Sequence, residues 1–542
     1  MPTSNTYLAL TIGPIYKTLH KAKNTQSLWG TSYVFSYLMK QICLELVTTY
    51  RDDFVIPYVK DDRIFAPHGG AGLFPDRIII KGGKIEDLQS AVGKAINKLA
   101  SDKTVAAINE EIEENNKVYK KKLSATSKDE FRNYLFRYLL LGVVEVRVNV
   151  NENVIDSCGK ALSTLELQCP YYSEEKADLL YFLVQNISKS GLIEDAFGID
   201  SYRFPSIIEI TTAEIAEKYP EDYKRITNHS FKYASDEDNL LGSIKTQLFG
   251  GENIFYRYYK YMAIVKADGD NMGEGITKVY EVNPGKVEEI DKAILDFNLK
   301  AVRDIESYGG KSIYLGGDDL LFFAPVSSGG RTIFELVKQL SDDYNAKVGG
   351  VFNGMGGSVT PKPTLSFGIS ITYYKYPMNE ALDLAGKMLE QAKENDKNAV
   401  AFRVMKHSGQ FFGTRLPQDK AYYSQAGNKD NPAGFLDLLK SEGLEKEDTF
   451  LSSVMYRLQD MEYLIHSVLK SDGARVRLEN FFENNFNEGI HQVKRRFLKQ
   501  VAGYLWEIYV QTDNDLPKAL ETTYSTLRLI QFIHQKDSEN DK

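Results

Sequence analysis

Residues 312–326 read SIYLGGDDLLFFAPV, two runs of apolar and aromatic residues separated by two glycines and two adjacent aspartates. No other stretch constrains the fold as tightly. Residues 312–315 and 320–326 have the character of buried strands, and Gly316 and Gly317 between them supply the positive φ that a tight hairpin needs. The sequence therefore predicts a β-hairpin with Asp318 and Asp319 at its tip. Two ionised carboxylates about 4 Å apart repel by a few kcal/mol at an effective dielectric of about 20, so a structural role needs a compensating partner. A divalent cation, Mg²⁺ or Mn²⁺, is one such partner, because it prefers carboxylate oxygen and water. The glycines also leave room for a phosphate chain to approach. The other reading of the same residues is a solvated turn, since turns favour Gly and Asp.

The hairpin sits within an alternation of strands and helices. YMAIVKAD reads as a strand, VEEIDKAILDFNLKAVRDIESY as a helix, then the hairpin, the helix RTIFELVKQLSDDYNAKV, the strand TLSFGISITYY, the helix MNEALDLAGKMLEQAKEN and the strand AVAFRVM. The order βαββαβ followed by αβ is that of a ferredoxin-like palm. The N-terminal block has related elements: a strand over 7–12, a helix over Thr25–Tyr50, strands at FVIPYV (54–59) and RIIIKG (77–82), a helix over Ile85–Leu99 and an alternating strand VVEVRVNV (143–150). The expected fold class is α+β. It comprises a first, degenerate palm (1–150), a helical insert (151–250), a catalytic palm (251–409) and a C-terminal helical domain (410–542). The shared element order is the one feature that points to a diverged duplication.

Bulk properties narrow the function classes. The 542-residue chain has a formal net charge of −8, which argues against a surface that clamps nucleic acid everywhere and leaves room for a local basic groove. The three cysteines, Cys43, Cys158 and Cys169, have no CxxC spacing, so neither a disulfide framework nor a cysteine zinc site is indicated, and a reducing cytoplasm fits best. No apolar run approaches the roughly 18 residues of a membrane span, and the N-terminus lacks a signal-peptide pattern.

A second source of carboxylates lies in KADGDNMGE, where Asp268 and Asp270 are two residues apart and so on one side of an extended strand. In the expected sheet this strand lies beside the one leading into the hairpin, which brings Asp268 to Asp318 and Asp319. Three carboxylates from two strands can hold two divalent ions that clamp a triphosphate, activate a hydroxyl and stabilise leaving pyrophosphate, the arrangement of nucleotidyl transfer. Lys393 and Lys397, at a helix end and in its exit turn, can neutralise β- and γ-phosphate charge. Their plain alternative is interaction with the helix dipole.

The combination ADGDNMGE, YLGGDDLLFF, TLSFGISI and AKENDKNAVAF resembles the palm of GGDEF-type diguanylate cyclases, and most closely the GGDD form in the large subunit of type III CRISPR effector complexes. LTIGPIYKTLHKAKNTQSLWGTSYVFSYLM is similar to the opening of the first palm in the subtype B, or Cmr, branch, and GLFPDRIII and FPSIIEITTAEIA add to the resemblance. It implies an RNA-guided antiviral complex in which this subunit works with other Cmr proteins, guide RNA and target RNA, and turns ATP into an adenylate second messenger. That product is a cyclic oligoadenylate, or AMP joined to S-adenosylmethionine. Carried over by residue, Asp268, Asp318 and Asp319 ligate the metals, with Asp270 matching the motif in a less defined role. Gly316 and Gly317 admit the ATP phosphates, and Lys393 and Lys397 contact them. Asp61 and Asp62, in VKDDRIF of the first palm, read first as a solvated loop and second as carboxylates for a cationic acceptor. Many relatives begin with a His-Asp nuclease domain, but six residues precede the first strand here and none of the seven histidines is followed by Asp, so no such nuclease is expected. Two other functions compete: a catalytically silent scaffold that binds guide RNA and partner subunits, and a diguanylate cyclase.

Overall fold

A computed structural model describes residues 4–120, 122–149, 152–167, 178–227, 234–249, 255–354, 362–424, 434–441, 448–485 and 492–537; Cys169 lies outside them. The first block folds around a four-stranded sheet of β1 (Ser4–Gly13), β2 (Phe54–Ile56), β3 (Arg77–Lys81) and β4 (Leu140–Asn149), in the order β2-β3-β1-β4. Helix Thr25–Tyr50 starts where the Asn24 side chain accepts from the Ser27 amide and Ser27 returns the bond, a capping box. Its Leu28, Phe35, Leu38, Ile42 and Leu46 are buried, as their helical spacing predicts. β2 is shorter than the apolar run FVIPYV because Pro57 has no amide to give a ladder.

The second block contains β5 (Tyr261–Asp270), β6 (Lys311–Gly316), β7 (Asp319–Pro325), the two-residue strands β8 (Ser327–Ser328) and β9 (Arg331–Thr332), β10 (Thr364–Tyr373), β11 (Ala399–Met405) and β12 (Phe411–Pro417). Its main sheet has the order β12-β11-β10-β5-β7-β6. Counted from β5 with β8 and β9 left out, the second palm repeats the first palm's strand order 2-3-1-4 and extends it with β11 and β12. β5 is central and buried almost throughout, which is why it reads as a continuous apolar run rather than an alternating one.

Two expectations need correction. β5 lies antiparallel beside β7, the strand leaving the hairpin, and not beside β6. In addition, the helical C-terminal region begins only after β12, which pairs with β11 and extends the palm sheet. The signal for β12 is weak because Gly413 interrupts it. The glycine is required by packing, since a Cβ there would lie 2.0 Å from the Phe402 carbonyl oxygen.

The blocks are tied together at named contacts. Residues 57–76 of the first palm reach across so that Gly72 bridges Tyr314 in parallel, with the Leu315 amide donating to the Gly72 carbonyl at 2.8 Å. The Tyr16 hydroxyl donates to Asp383 at 2.6 Å. In the insert, Phe197 and Phe204 pack on the buried Trp29. Near the C-terminus, Asp537, whose side chain is buried, accepts from Lys245 at 2.8 Å and from Lys260 at 2.6 Å.

Candidate functional site

The hairpin closes with Gly316 opposite Asp319, leaving Gly317 and Asp318 as a two-residue turn. Only Gly317 has positive φ, at 66°, the pattern of a type II′ turn with glycine first. Gly316 serves a different need from the one its sequence suggests. A Cβ there would lie 2.3 Å from the Tyr314 hydroxyl, so the glycine lets that ring lie over the strand end. Around Gly317 a Cβ would meet nothing within 4 Å, so the turn faces open space. Behind it, the Asn298 side chain donates to the Gly317 carbonyl at 2.9 Å and fixes the turn.

On the neighbouring strand, Ala267 sits opposite Leu320, so the next residues outward are Asp268 and Asp319. Gly269 is packed against the turn: a Cβ there would be 2.5 Å from Asp318 Oδ2. Asp268, Asp318 and Asp319 thus gather at one end of the sheet. Burial, and after it the charge of Asp268, pushes the Asp318 carboxyl up to about 6. Asp319 touches solvent, but surrounding protein, then Asp318, Asp268 and Asp76, hold its carboxyl well above the usual range. Lys393 opposes both effects. Its ammonium donates to the Asp268 carboxylate and to the Gly269 carbonyl at 3.3 Å. The Lys397 ammonium donates to Asn271 Oδ1 at 2.6 Å.

Asp270, whose charge also raises the Asp318 carboxyl, is held differently from this group. It is fully buried, and its Oδ2 accepts from Thr364 at 2.7 Å, Ser366 at 2.8 Å and the Asn398 amide at 3.0 Å. The chemistry of Asp268, Asp318 and Asp319 fits a hard divalent cation, and the crowding of like charge is what a cation relieves. Among the described residues, no three His, Cys, Asp or Glu side chains stand closed around one cation position. Asp268 is engaged by Lys393, so an incoming ion would have to replace that partner.

Several contributors have no local sequence signal. Asp76 comes from the first palm, and Tyr344 has a buried hydroxyl without a partner facing Asp318, Asp270 and Asp268. Lys266 lies over the Tyr16 ring at 5.4 Å, and burial lowers its pKa while Asp383 and Asp319 oppose the shift. Between the palms is a cavity of about 200 Å³ lined by Tyr7, Phe54, Tyr58, Tyr280 and Asp291 among others. Burial and the charges of Glu288 and Asp318 push Asp291 up to about 8. Asp61 and Asp62 are already paired, with Arg63 and Arg51 respectively.

Residues 261–401 match the Cas10/Cmr2 second palm domain, and residues 7–128 match the N-terminal domain of CRISPR-associated protein Cmr2. The chain belongs to the Cas10/Cmr2 family. A curated relative, the CRISPR system Cmr subunit Cmr2 of Pyrococcus furiosus, is 28% identical over 178 residues, covering 28% of this chain and 19% of that protein. The matched segment is thus about a fifth of the relative's length. A chain of the type III-B Cmr-beta complex in its apo state aligns with TM-score 0.58 at 12% identity, covering 98% of this chain and 82% of that one. A chain of Cmr-beta bound to cognate target RNA aligns with TM-score 0.53 at 11% identity, covering 97% and 83%. These two likenesses show that the chain shares its fold with those two chains. Among the described residues no helix is long and apolar enough to cross a membrane.

Proposed function

We propose that this Cas10/Cmr2 family member is the RNA-activated nucleotidyltransferase of a type III-B CRISPR complex, converting ATP into an adenylate second messenger. The observation that carries the reading is the convergence of Asp268, Asp318 and Asp319 over Gly269, beside the lysines of residues 393 and 397. Bound Mg²⁺ or Mn²⁺, held by the three aspartates, would lower the pKa of the attacking hydroxyl and stabilise leaving pyrophosphate. The open face of Gly317 admits the triphosphate, while Lys393 and Lys397 neutralise its β- and γ-phosphates. Asn298 holds the turn so that the carboxylates keep their places during turnover. The cavity between the palms takes the acceptor. Its aromatic walls suit a second ATP base, and its acidic groups suit the cationic centre of S-adenosylmethionine. Other Cmr proteins, guide RNA and target RNA are the proposed partners, in line with the complexes in which the structural relatives were solved.

A silent scaffold is the second reading, favoured by the pairing of Lys393 with Asp268, which offsets part of the cluster's charge without any ion. Mass spectrometry of products made by the purified complex with target RNA separates them, comparing ATP with GTP, and ATP with and without S-adenosylmethionine. An adenylate product that requires ATP and a divalent ion supports transfer. Its absence supports the scaffold, and a product from GTP alone would point to a diguanylate cyclase.

A further inference from the structure

The segment carrying the two candidate phosphate lysines has an unfavourable backbone. Helix Met378–Lys393 ends at Lys393, and residues 394–398 lead to β11. Within them Asn395, Lys397 and Asn398 have φ of 58°, 55° and 42°. Residues with a Cβ meet a steric cost in this region, and lysine lacks the short polar side chain with which Asn offsets it. Such a loop keeps one shape only if its surroundings impose it.

Arg415, on β12, meets that need. Its single guanidinium donates to four carbonyls: Gln391 at 3.1 Å, Ala392 at 3.3 Å, Glu394 at 2.8 Å and Lys397 at 3.3 Å. Capping of the helix end accounts for the first two, whereas the bonds to Glu394 and Lys397 reach into the loop. From the other side Asp270 Oδ2 accepts from the Asn398 amide at 3.0 Å, and the Gln418 amide donates to the Asn398 carbonyl at 2.8 Å.

We propose that Arg415 and Asp270 are positioning residues of the nucleotide site. They lock residues 394–398 so that the Lys393 and Lys397 ammonium groups face the acid cluster, and Asp270 acts as a brace, not as an ion ligand. The proposal rests on the reading of these lysines as phosphate contacts. Asp270 Oδ2 is occupied by the Thr364 and Ser366 hydroxyls of β10 and by the Asn398 amide, so this oxygen ties the loop to the sheet, while the fully buried Oδ1 has no hydrogen-bond partner. Arg415 is irreplaceable by lysine in this role, because one ammonium cannot span four carbonyls on both sides of a helix end.

The test uses the assembled complex and equilibrium binding of a non-hydrolysable ATP analogue, which reads the clamp whether or not the wild type turns ATP over. Arg415→Lys should weaken analogue binding about tenfold, or about 1.4 kcal/mol. In a background of Lys393→Ala with Lys397→Ala, the same change should add less than about twofold, since the clamp acts through those lysines. Asp270→Asn should weaken binding similarly and leave the Mn²⁺ concentration for half-saturation, followed by the metal's paramagnetic signal, unchanged. Wild-type analogue affinity in Arg415→Lys would overturn the proposal, as would an equal loss with and without the two lysines. A several-fold higher Mn²⁺ requirement in Asp270→Asn would place Asp270 among the ion ligands and overturn its assignment as a brace. Tight analogue binding without any ATP turnover by the wild type would defeat the transferase reading alone.

Discussion

At the scale of single residues, the strongest constraint is the crowding of Asp318 and Asp319 against Asp268. Surrounding protein and mutual repulsion oppose ionisation of both turn carboxylates, although Asp319 reaches solvent. Replacing them by alanine removes that repulsion and opens no apolar cavity, so Asp318→Ala with Asp319→Ala should unfold at the wild-type temperature or slightly above it in metal-free buffer. A clear loss of thermal stability would contradict this electrostatic account. Gly269→Ala makes a second test, because the new Cβ would lie 2.5 Å from Asp318 Oδ2. The variant should fold, yet product formation should fall at least about tenfold as Asp318 is displaced. Unchanged initial rates would mean that the Asp318 position is unimportant. The acids, the glycines and both lysines were legible in the sequence because each lies in a local motif. The separate duties of Gly316 and Gly317 were not, since one depends on a ring two residues away and the other on backbone φ. Nor was the burial of Asp270, which follows from its pairing with β10 and the loop before β11.

At the scale of elements, apolar periodicity located Thr25–Tyr50, Ile85–Leu99 and the hairpin strands well. It failed at β12, where a short strand owes its existence to pairing with β11, and at FVIPYV, where one proline ended the ladder. Arg415 was equally invisible, for its partners lie about twenty residues earlier and meet it only through that late strand. The insert offers a test of its own. Glu237 accepts from the Ile207 amide at 3.1 Å at the start of helix Ile207–Thr211, and burial pushes its carboxyl up to about 7 from 4.5. The folded state therefore holds a proton that the unfolded state releases between about pH 4.5 and 7, so this group's contribution to stability falls as pH rises through that window. Glu237→Gln keeps an acceptor for Ile207 and removes the charge. It should raise the melting temperature at pH 8, by up to about 3 kcal/mol of stability, and have little effect at pH 4.5. A uniform shift at both pH values would contradict the assignment.

At the scale of the whole molecule, two palms of the same strand order face each other, and loops from the first reach the functional edge of the second. Gly72 pairs with Tyr314 on the strand leading to the turn, and the carbonyl of Gly70, two residues earlier, accepts from Trp29 Nε1 at 2.7 Å. Trp29 is fully buried among rings of the insert, so one side chain links the first palm, the insert and the loop that crosses between palms. Trp29→Ala should cost about 3–5 kcal/mol in chemical denaturation. It should also lower nucleotide turnover in the fraction that stays folded, whereas normal turnover there would separate the crossing loop from the site. The partnership of the palms was legible only as repeated element order, since contacts between distant segments leave no periodic mark on either one. The central claim is that the carboxylates of the GGDD turn perform transfer on ATP. It is tested most directly by incubating the purified complex, wild type or Asp318→Ala with Asp319→Ala, with target RNA, Mg²⁺ or Mn²⁺ and ATP, and measuring the initial rate of adenylate product by mass spectrometry. The account predicts RNA-dependent product from the wild type and a loss of at least about a hundredfold in the variant, with assembly intact; product from the variant at near wild-type rate would contradict it.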